Sequence, residues 1–179
     1  VSSVLFANPN ATTGIALNKI QIQQFLTKNP QILVIVDEAY VDFGAQSCIS
    51  LIKKYKNILI TRTFSKSRGL AGMRLGFAVG NHDLIHALNL VKNSFNTYPV
   101  DKLASAAGIA SLKDKKWFDS NKQKIIRNRE FLTRKLETIG FEVLPSQANF
   151  ILASHLKVSG TKIFSELKKN KIIVRHFNN

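Results

Sequence analysis

Short β-rich runs alternate with helical patterns through the first half of this chain, the sequence sign of an α/β layer structure with a largely parallel sheet. Residues 1–6 read as a strand and 7–14 as a polar loop. Asn18 is placed to cap a helix running to about Lys28, which Asn29-Pro30 stops. Residues 32–36, Ile-Leu-Val-Ile-Val, are apolar without alternation, as expected of a strand covered on both faces, and the run ends abruptly in Asp37-Glu38. Further strands are predicted over 57–63 and 75–79, with a polar, glycine-bearing connection at 65–72 between them.

The second half reads differently. A helical pattern over 82–96 is interrupted by Tyr98-Pro99, and a second helix is expected with Pro99 near its first turn, carrying the small residues Ala104, Ala106, Ala107 and Ala110. A long basic helix follows and ends at Gly140. Beyond it, 141–144 and 149–153 read as strands, 161–170 as a helix and 172–175 as a final strand, a closing βαβ-like unit too small to stand alone. A domain change is placed near residues 93–115, dividing the chain into 1–100 and 101–179.

Composition bounds the function classes. At 179 residues and 45% apolar, the chain can bury a substantial core. No apolar run approaches the ~20 residues needed to cross a bilayer, and no basic segment leads into an apolar one at the N-terminus, so a cytoplasmic protein without membrane partners is expected. Cys48 is the single cysteine and reads as a packing residue; no Cys/His spacing suggests a metal. The formal charge of +15 invites a nucleic-acid reading. Between Lys113 and Lys135, however, nine Lys/Arg and three acids share the stretch with apolar residues such as Phe118, Ile125 and Leu132 at helical spacing. That is the solvated side of an amphipathic helix, and no nucleic-acid partner is expected.

Two constellations carry chemistry. In Thr61-Arg62-Thr63-Phe64-Ser65-Lys66-Ser67-Arg68-Gly69, two hydroxyls flank a lysine on a short loop after a strand, and Arg74 follows eight positions later. A lysine amine attacks an aldehyde only when neutral, so burial and nearby cations favour covalent capture there. Thr63, Ser65 and Arg74 together offer hydrogen-bond donors and a positive charge to a phosphate dianion. The bland alternative is a surface loop with a structural arginine. The second constellation, Asp37-Glu38-Ala39-Tyr40, ends the apolar strand, where a carboxylate is costly unless paired and a protonated ring nitrogen is a suitable partner. The competing reading makes Asp37 a helix N-cap and Tyr40 a core aromatic. Ligands in open α/β sheets gather at carboxyl strand ends, so Asp37 and Lys66 can share a crevice although 29 positions apart.

These segments resemble the signature of fold-type I aminotransferases dependent on pyridoxal 5'-phosphate (PLP), and within them the histidinol-phosphate aminotransferase family. The resemblance implies that Lys66 holds PLP covalently, that Asp37 pairs with its ring nitrogen and Tyr40 with its ring hydroxyl, and that Thr63, Ser65 and Arg74 hold its phosphate. Asn8-Pro9-Asn10-Ala11-Thr12-Thr13-Gly14 is similar to the family's Asn-Pro-Asn-Asn-Pro-Thr-Gly loop, but Ala11 and Thr12 replace Asn and Pro. The ring-hydroxyl amide would then have to come from Asn10. Ser94-Phe95-Asn96-Thr97-Tyr98-Pro99 resembles the family's entry to its small domain, and Ala148-Asn149-Phe150 with Lys171-Ile172-Ile173-Val174-Arg175 resembles its C-terminal strands. Arg175 is thereby implied as a substrate-phosphate arginine.

The implied fold is part of a PLP-binding large domain over 1–100, a mostly parallel sheet with helices on both faces, plus most of a small α+β domain over 101–179. The implied reaction is amino transfer between L-histidinol phosphate and 2-oxoglutarate in a homodimer, the substrate being a small phosphorylated amine. By that comparison the chain is expected to be incomplete at both ends. Threonine-phosphate decarboxylase, an aromatic aminotransferase and a catalytically inert fragment stay open as alternatives.

Overall fold

The computed structural model describes residues 2–177, so the first position of the strand expected at 1–6 lies outside the described residues. Four strands form the main sheet in the order β1 (Ser3–Ala7), β2 (Leu33–Asp37), β3 (Ile58–Thr63) and β4 (Gly76–Gly80). The first two pairings are parallel, with Ala7 opposite Asp37 and Asp37 opposite Thr61. The third is antiparallel and sets Thr63 opposite Gly76. Gly76 is required there, because a Cβ would meet the Arg62 carbonyl oxygen at 2.8 Å.

Helix α1 (Lys19–Lys28) shows how local chemistry fixes an element. Asn18 Oδ1 accepts from the Gln21 N–H while Gln21 Oε1 accepts from the Asn18 N–H, a reciprocal cap. The helix ends where expected, ahead of Pro30, and lays Ile22 and Leu26 on the sheet. These two pack with Val34, Val36, Ile58, Ile60, Leu51 and Cys48 as the core. Burial along β2 alternates: Val34 and Val36 are sealed, whereas Leu33, Ile35 and Asp37 are half-buried. The expected cover is thus complete on the Val34 and Val36 face and partial on the other. One face meets the core, and the other carries Ile35 of β2 opposite the exposed Leu5 of β1.

Helix α2 (His82–Phe95) leads to α3 (Lys102–Lys113) and α4 (Lys115–Thr138). Helix α3 does not begin at Pro99. Asp101 is its N-cap, accepting from the Ala104 N–H at 2.7 Å, and a carboxylate cap wins over a proline first turn. Ala104 and Gly108 are its buried positions, and a Cβ on Gly108 would meet Leu75 Cδ2 at 2.6 Å. Small residues let this helix approach the connection into β4. The long helix α4 buries no residue fully and leaves its charged side in solvent.

The closing unit departs from the expectation. Strands β5 (Phe141–Val143) and β6 (Ala153–His155) pair antiparallel, so the second begins only where 149–153 was expected to end. After α5 (Gly160–Lys169) the chain at 172–175 forms no strand. Instead the Ile172 N–H bonds to the Leu167 carbonyl and Ile173 is 76% exposed. An apolar run becomes a strand only where an edge accepts its backbone, and here the helix end takes it. No described helix is long and apolar enough to cross a membrane.

Two measurements check this core. Leu26→Ala, at a position with no exposure, is expected to lower unfolding free energy by about 2–5 kcal/mol in denaturant titration. Burial, reinforced by the Glu38 carboxylate, pushes the Cys48 thiol up from 9.0 to about 11. Since the folded state keeps that proton longer than the unfolded chain, the contribution is complete below pH 9 and is lost as pH rises toward 11. The stability difference between the protein and Cys48→Val is expected to change across that window and to be flat below it.

Candidate functional site

Parallel pairing brings the carboxyl ends of β1, β2 and β3 to one end of the sheet, and the antiparallel β4 starts there. Asp37 closes β2. Its Oδ1 accepts from the Ala39 N–H at 3.0 Å, which turns the chain sharply toward Tyr40. It caps no helix: the short 3₁₀ turn Val41–Phe43 begins only after Tyr40 and has no side-chain cap. The N-cap alternative for Asp37 is thus removed. Nor is Tyr40 sealed in a core; it is half-buried, with its ring edge-on to Phe150 at 5.1 Å.

Lys66 approaches from β3. Thr63 ends that strand, and its Oγ1 accepts from the Ser65 N–H at 3.0 Å, bending the backbone into the loop. Lys66 Nζ then lies 5.2 Å from the centre of the ring of Tyr40, which stands three residues past Asp37 in sequence. No carboxylate of the described residues lies within salt-bridge distance of Lys66. The side chain is exposed.

Arg74 follows the turn Ala71–Met73 in a left-handed conformation (φ 50°), and its Nη1 donates to the Ala71 carbonyl at 3.0 Å. Because β4 runs antiparallel, Arg74 precedes the residue that pairs with Thr63, and the Phe64 N–H donates to the Leu75 carbonyl at 3.0 Å. Thr63, Ser65 and Arg74 are therefore brought to one end of the sheet. Asn10 lies in the loop after β1, which is tied to β2 by the Asn8 N–H on the Asp37 carbonyl. Its Oδ1 accepts from the Thr12 and Thr13 N–H groups and the Thr13 hydroxyl, so only its amide nitrogen remains to donate. Arg175 is not on a strand; its guanidinium lies over Phe177 at 5.0 Å and the residue is exposed.

Sequence reasoning missed the groups behind this end of the sheet. Glu38 is 2% exposed, yet it is a carboxylate. Arg62 donates to its Oε2 from Nε at 3.0 Å and Nη2 at 2.8 Å, and the Ser47 hydroxyl donates to the same oxygen at 2.8 Å. A second carboxylate directly after Asp37, and a cation directly before Thr63, were the available signals. Arg129 on α4 was also missed. It donates to the Phe43 carbonyl at 2.8 Å and the Ala148 carbonyl at 2.7 Å, and burial pulls its guanidinium below its ordinary pKa. Among the described residues no group of three His, Cys, Asp or Glu could hold a metal ion.

The donor set fits a phosphorylated aldehyde with a basic ring. It supplies an amine with no carboxylate of the described residues in salt-bridge reach, a strand-end carboxylate, an aromatic phenol under the amine, and hydroxyls with an arginine at the next strand junction. Comparisons with known proteins agree. A family model described as aminotransferase class I and II matches residues 1–179. Histidinol-phosphate aminotransferase 1 of Bradyrhizobium diazoefficiens is 51% identical over 176 residues, covering 98% of this chain and 50% of that protein. Among solved structures, the histidinol-phosphate aminotransferase of Clostridium acetobutylicum superposes with a TM-score of 0.87 at 30% identity, covering 98% of this chain and 54% of that one. The Sinorhizobium meliloti histidinol-phosphate aminotransferase, solved in complex with pyridoxal-5'-phosphate, gives 0.86 at 26%, covering 97% and 48%. The chain spans about half the length of the curated relatives it matches.

Removing Arg62 leaves Glu38 buried without its cation. Arg62→Leu is expected to cost about 3–5 kcal/mol in denaturant unfolding, whereas replacing both partners together, Arg62→Leu with Glu38→Leu, costs much less.

Proposed function

Because the chain belongs to the class I and II aminotransferase family, we propose that it supplies the lysine-bearing half of a PLP site for amino transfer from L-histidinol phosphate to 2-oxoglutarate. The observation that carries this is the unpaired Lys66 amine set over Tyr40, beside the Asp37 turn. The 51% identity to histidinol-phosphate aminotransferases supports the choice of substrate. On this reading residues 1–100 belong to a cofactor-binding domain and 101–179 to a small domain, and the enzyme is a cytoplasmic homodimer.

When bound, PLP acts as an electron sink for the carbanion formed at the substrate α-carbon. The protein's groups make that sink effective. Asp37 places a negative charge where a protonated ring nitrogen needs one, at a half-buried strand end where the interaction is stronger than in bulk water. Tyr40 offers its phenol to the ring hydroxyl, and Asn10 can add its amide nitrogen. Thr63 and Ser65 offer hydroxyls to the phosphate, and Arg74 a planar fork of donors with a fixed charge. Lys66 Nζ would hold the cofactor through its aldehyde carbon, with loss of water, and as a free amine would carry the proton taken from the substrate α-carbon. Arg175 is assigned to the phosphate of the substrate.

The test uses the full-length protein. Incubation with PLP followed by borohydride is expected to fix the cofactor on the peptide containing Lys66, and Lys66→Arg to abolish the label. Asp37→Asn should retain label but slow amino transfer by about 10²- to 10³-fold, as loss of one electrostatic partner does. Amino-donor screening should favour L-histidinol phosphate. Label on another lysine, or none, sinks the assignment; carbon dioxide release would move it to a decarboxylase.

A further inference from the structure

Behind Lys66 runs a set of polar contacts for which cofactor binding has no use. Ser67 is 4% exposed, and its hydroxyl donates to Asp42 Oδ2 at 2.5 Å. Asp42 Oδ1 stands 3.7 Å from Arg62 Nη1, and Arg62 in turn grips Glu38. Glu38 directly follows Asp37 and Ser67 directly follows Lys66. One line of charge and hydrogen bonds therefore joins the backbone that bears the carboxylate to the backbone that bears the amine.

The loop itself does not settle where it sits. Its internal bonds, the Gly69 N–H on the Lys66 carbonyl and the Leu70 N–H on the Phe64 carbonyl, close the turn but do not aim it. Aim comes from the two residues after the lysine. Ser67 is held by Asp42, and Arg68 donates to the Ser111 carbonyl while its guanidinium lies 3.9 Å over the Phe118 ring. Lys66 is thus a free side chain on a pinned backbone. A hydroxyl donating to a carboxylate makes a stronger bond than one donating to a neutral acceptor, and the Arg62 charge fixes where that carboxylate stands.

We propose, on the reading that Lys66 carries the cofactor, that Asp42 is a positioning residue acting through Ser67. It sets the backbone from which the amine reaches past Tyr40. Arg62 serves Asp42 and Glu38 at once, so the same cation keeps the two strand ends in step.

The experiment measures how fast PLP becomes fixable by borohydride on Lys66 in the full-length protein. Ser67→Ala and Asp42→Ala are each expected to slow attachment about tenfold while the protein stays folded at the assay temperature by circular dichroism, because a misplaced reacting group loses rate without losing fold. Ser67→Thr, which keeps the hydroxyl, should restore the rate. The double variant should be no slower than either single one. If Ser67→Ala does not fold, Asp42→Ala carries the test, its side chain being 28% exposed and more tolerant of truncation. Wild-type attachment rates in folded single variants, or strictly additive losses in the double one, overturn the positioning role and leave the cofactor assignment standing. An unlabelled wild-type protein overturns the cofactor assignment and this role with it.

Discussion

A carboxylate sealed from water must be neutralised, and the way Glu38 achieves this organises the end of the sheet. Its partner Arg62 is on the neighbouring strand, so the ion pair bolts the end of β2 to the end of β3. Water cannot compete at a side chain with no exposure, and removal of one member leaves an uncompensated charge. The pair is therefore less a contributor of net stability than a constraint on geometry. Asp37 and Thr63, the residues next to it in sequence, inherit that constraint.

Strand direction supplies the second condition. Three parallel strands would have brought only their own carboxyl ends to the site, and the residues before a fourth parallel strand would lie at the far edge. Because β4 is antiparallel, its beginning sits beside Thr63, and Arg74 arrives with it. Gly76 allows the approach, since the Arg62 carbonyl occupies the space a side chain would need. The phosphate-holding role proposed for Arg74 depends on this reversal.

The two halves of the chain are joined at a few specific points. Arg129 bridges the carbonyl of Phe43, just past β2, and that of Ala148, between β5 and β6. The Gln147 N–H donates to the Gly14 carbonyl nearby, and Phe150 packs on Tyr40. Guanidinium burial is unfavourable by itself, and the two carbonyls offset it.

The sequence by itself determined the elements whose signals are local. The Asn18 cap, the stop at Pro30, the apolar run into Asp37 and the lysine loop after β3 are set by neighbours within a few residues, and a linear reading reaches them. Residue type and position after a strand single out Asp37, Thr63, Ser65 and Lys66, and spacing adds Arg74, whereas the cofactor roles of these residues and of Tyr40 rest on the family resemblance. Only tertiary structure decided what depends on distant partners. The Glu38–Arg62 pair spans 24 positions, Ser67–Asp42 25 and Arg129–Phe43 86. The pattern at 172–175 suited a strand, but strands form only where an edge is offered, and Arg175 consequently stands on irregular chain. Periodicity specifies which side of an element wants burial; it carries no information about which charge from elsewhere arrives to make that burial tolerable.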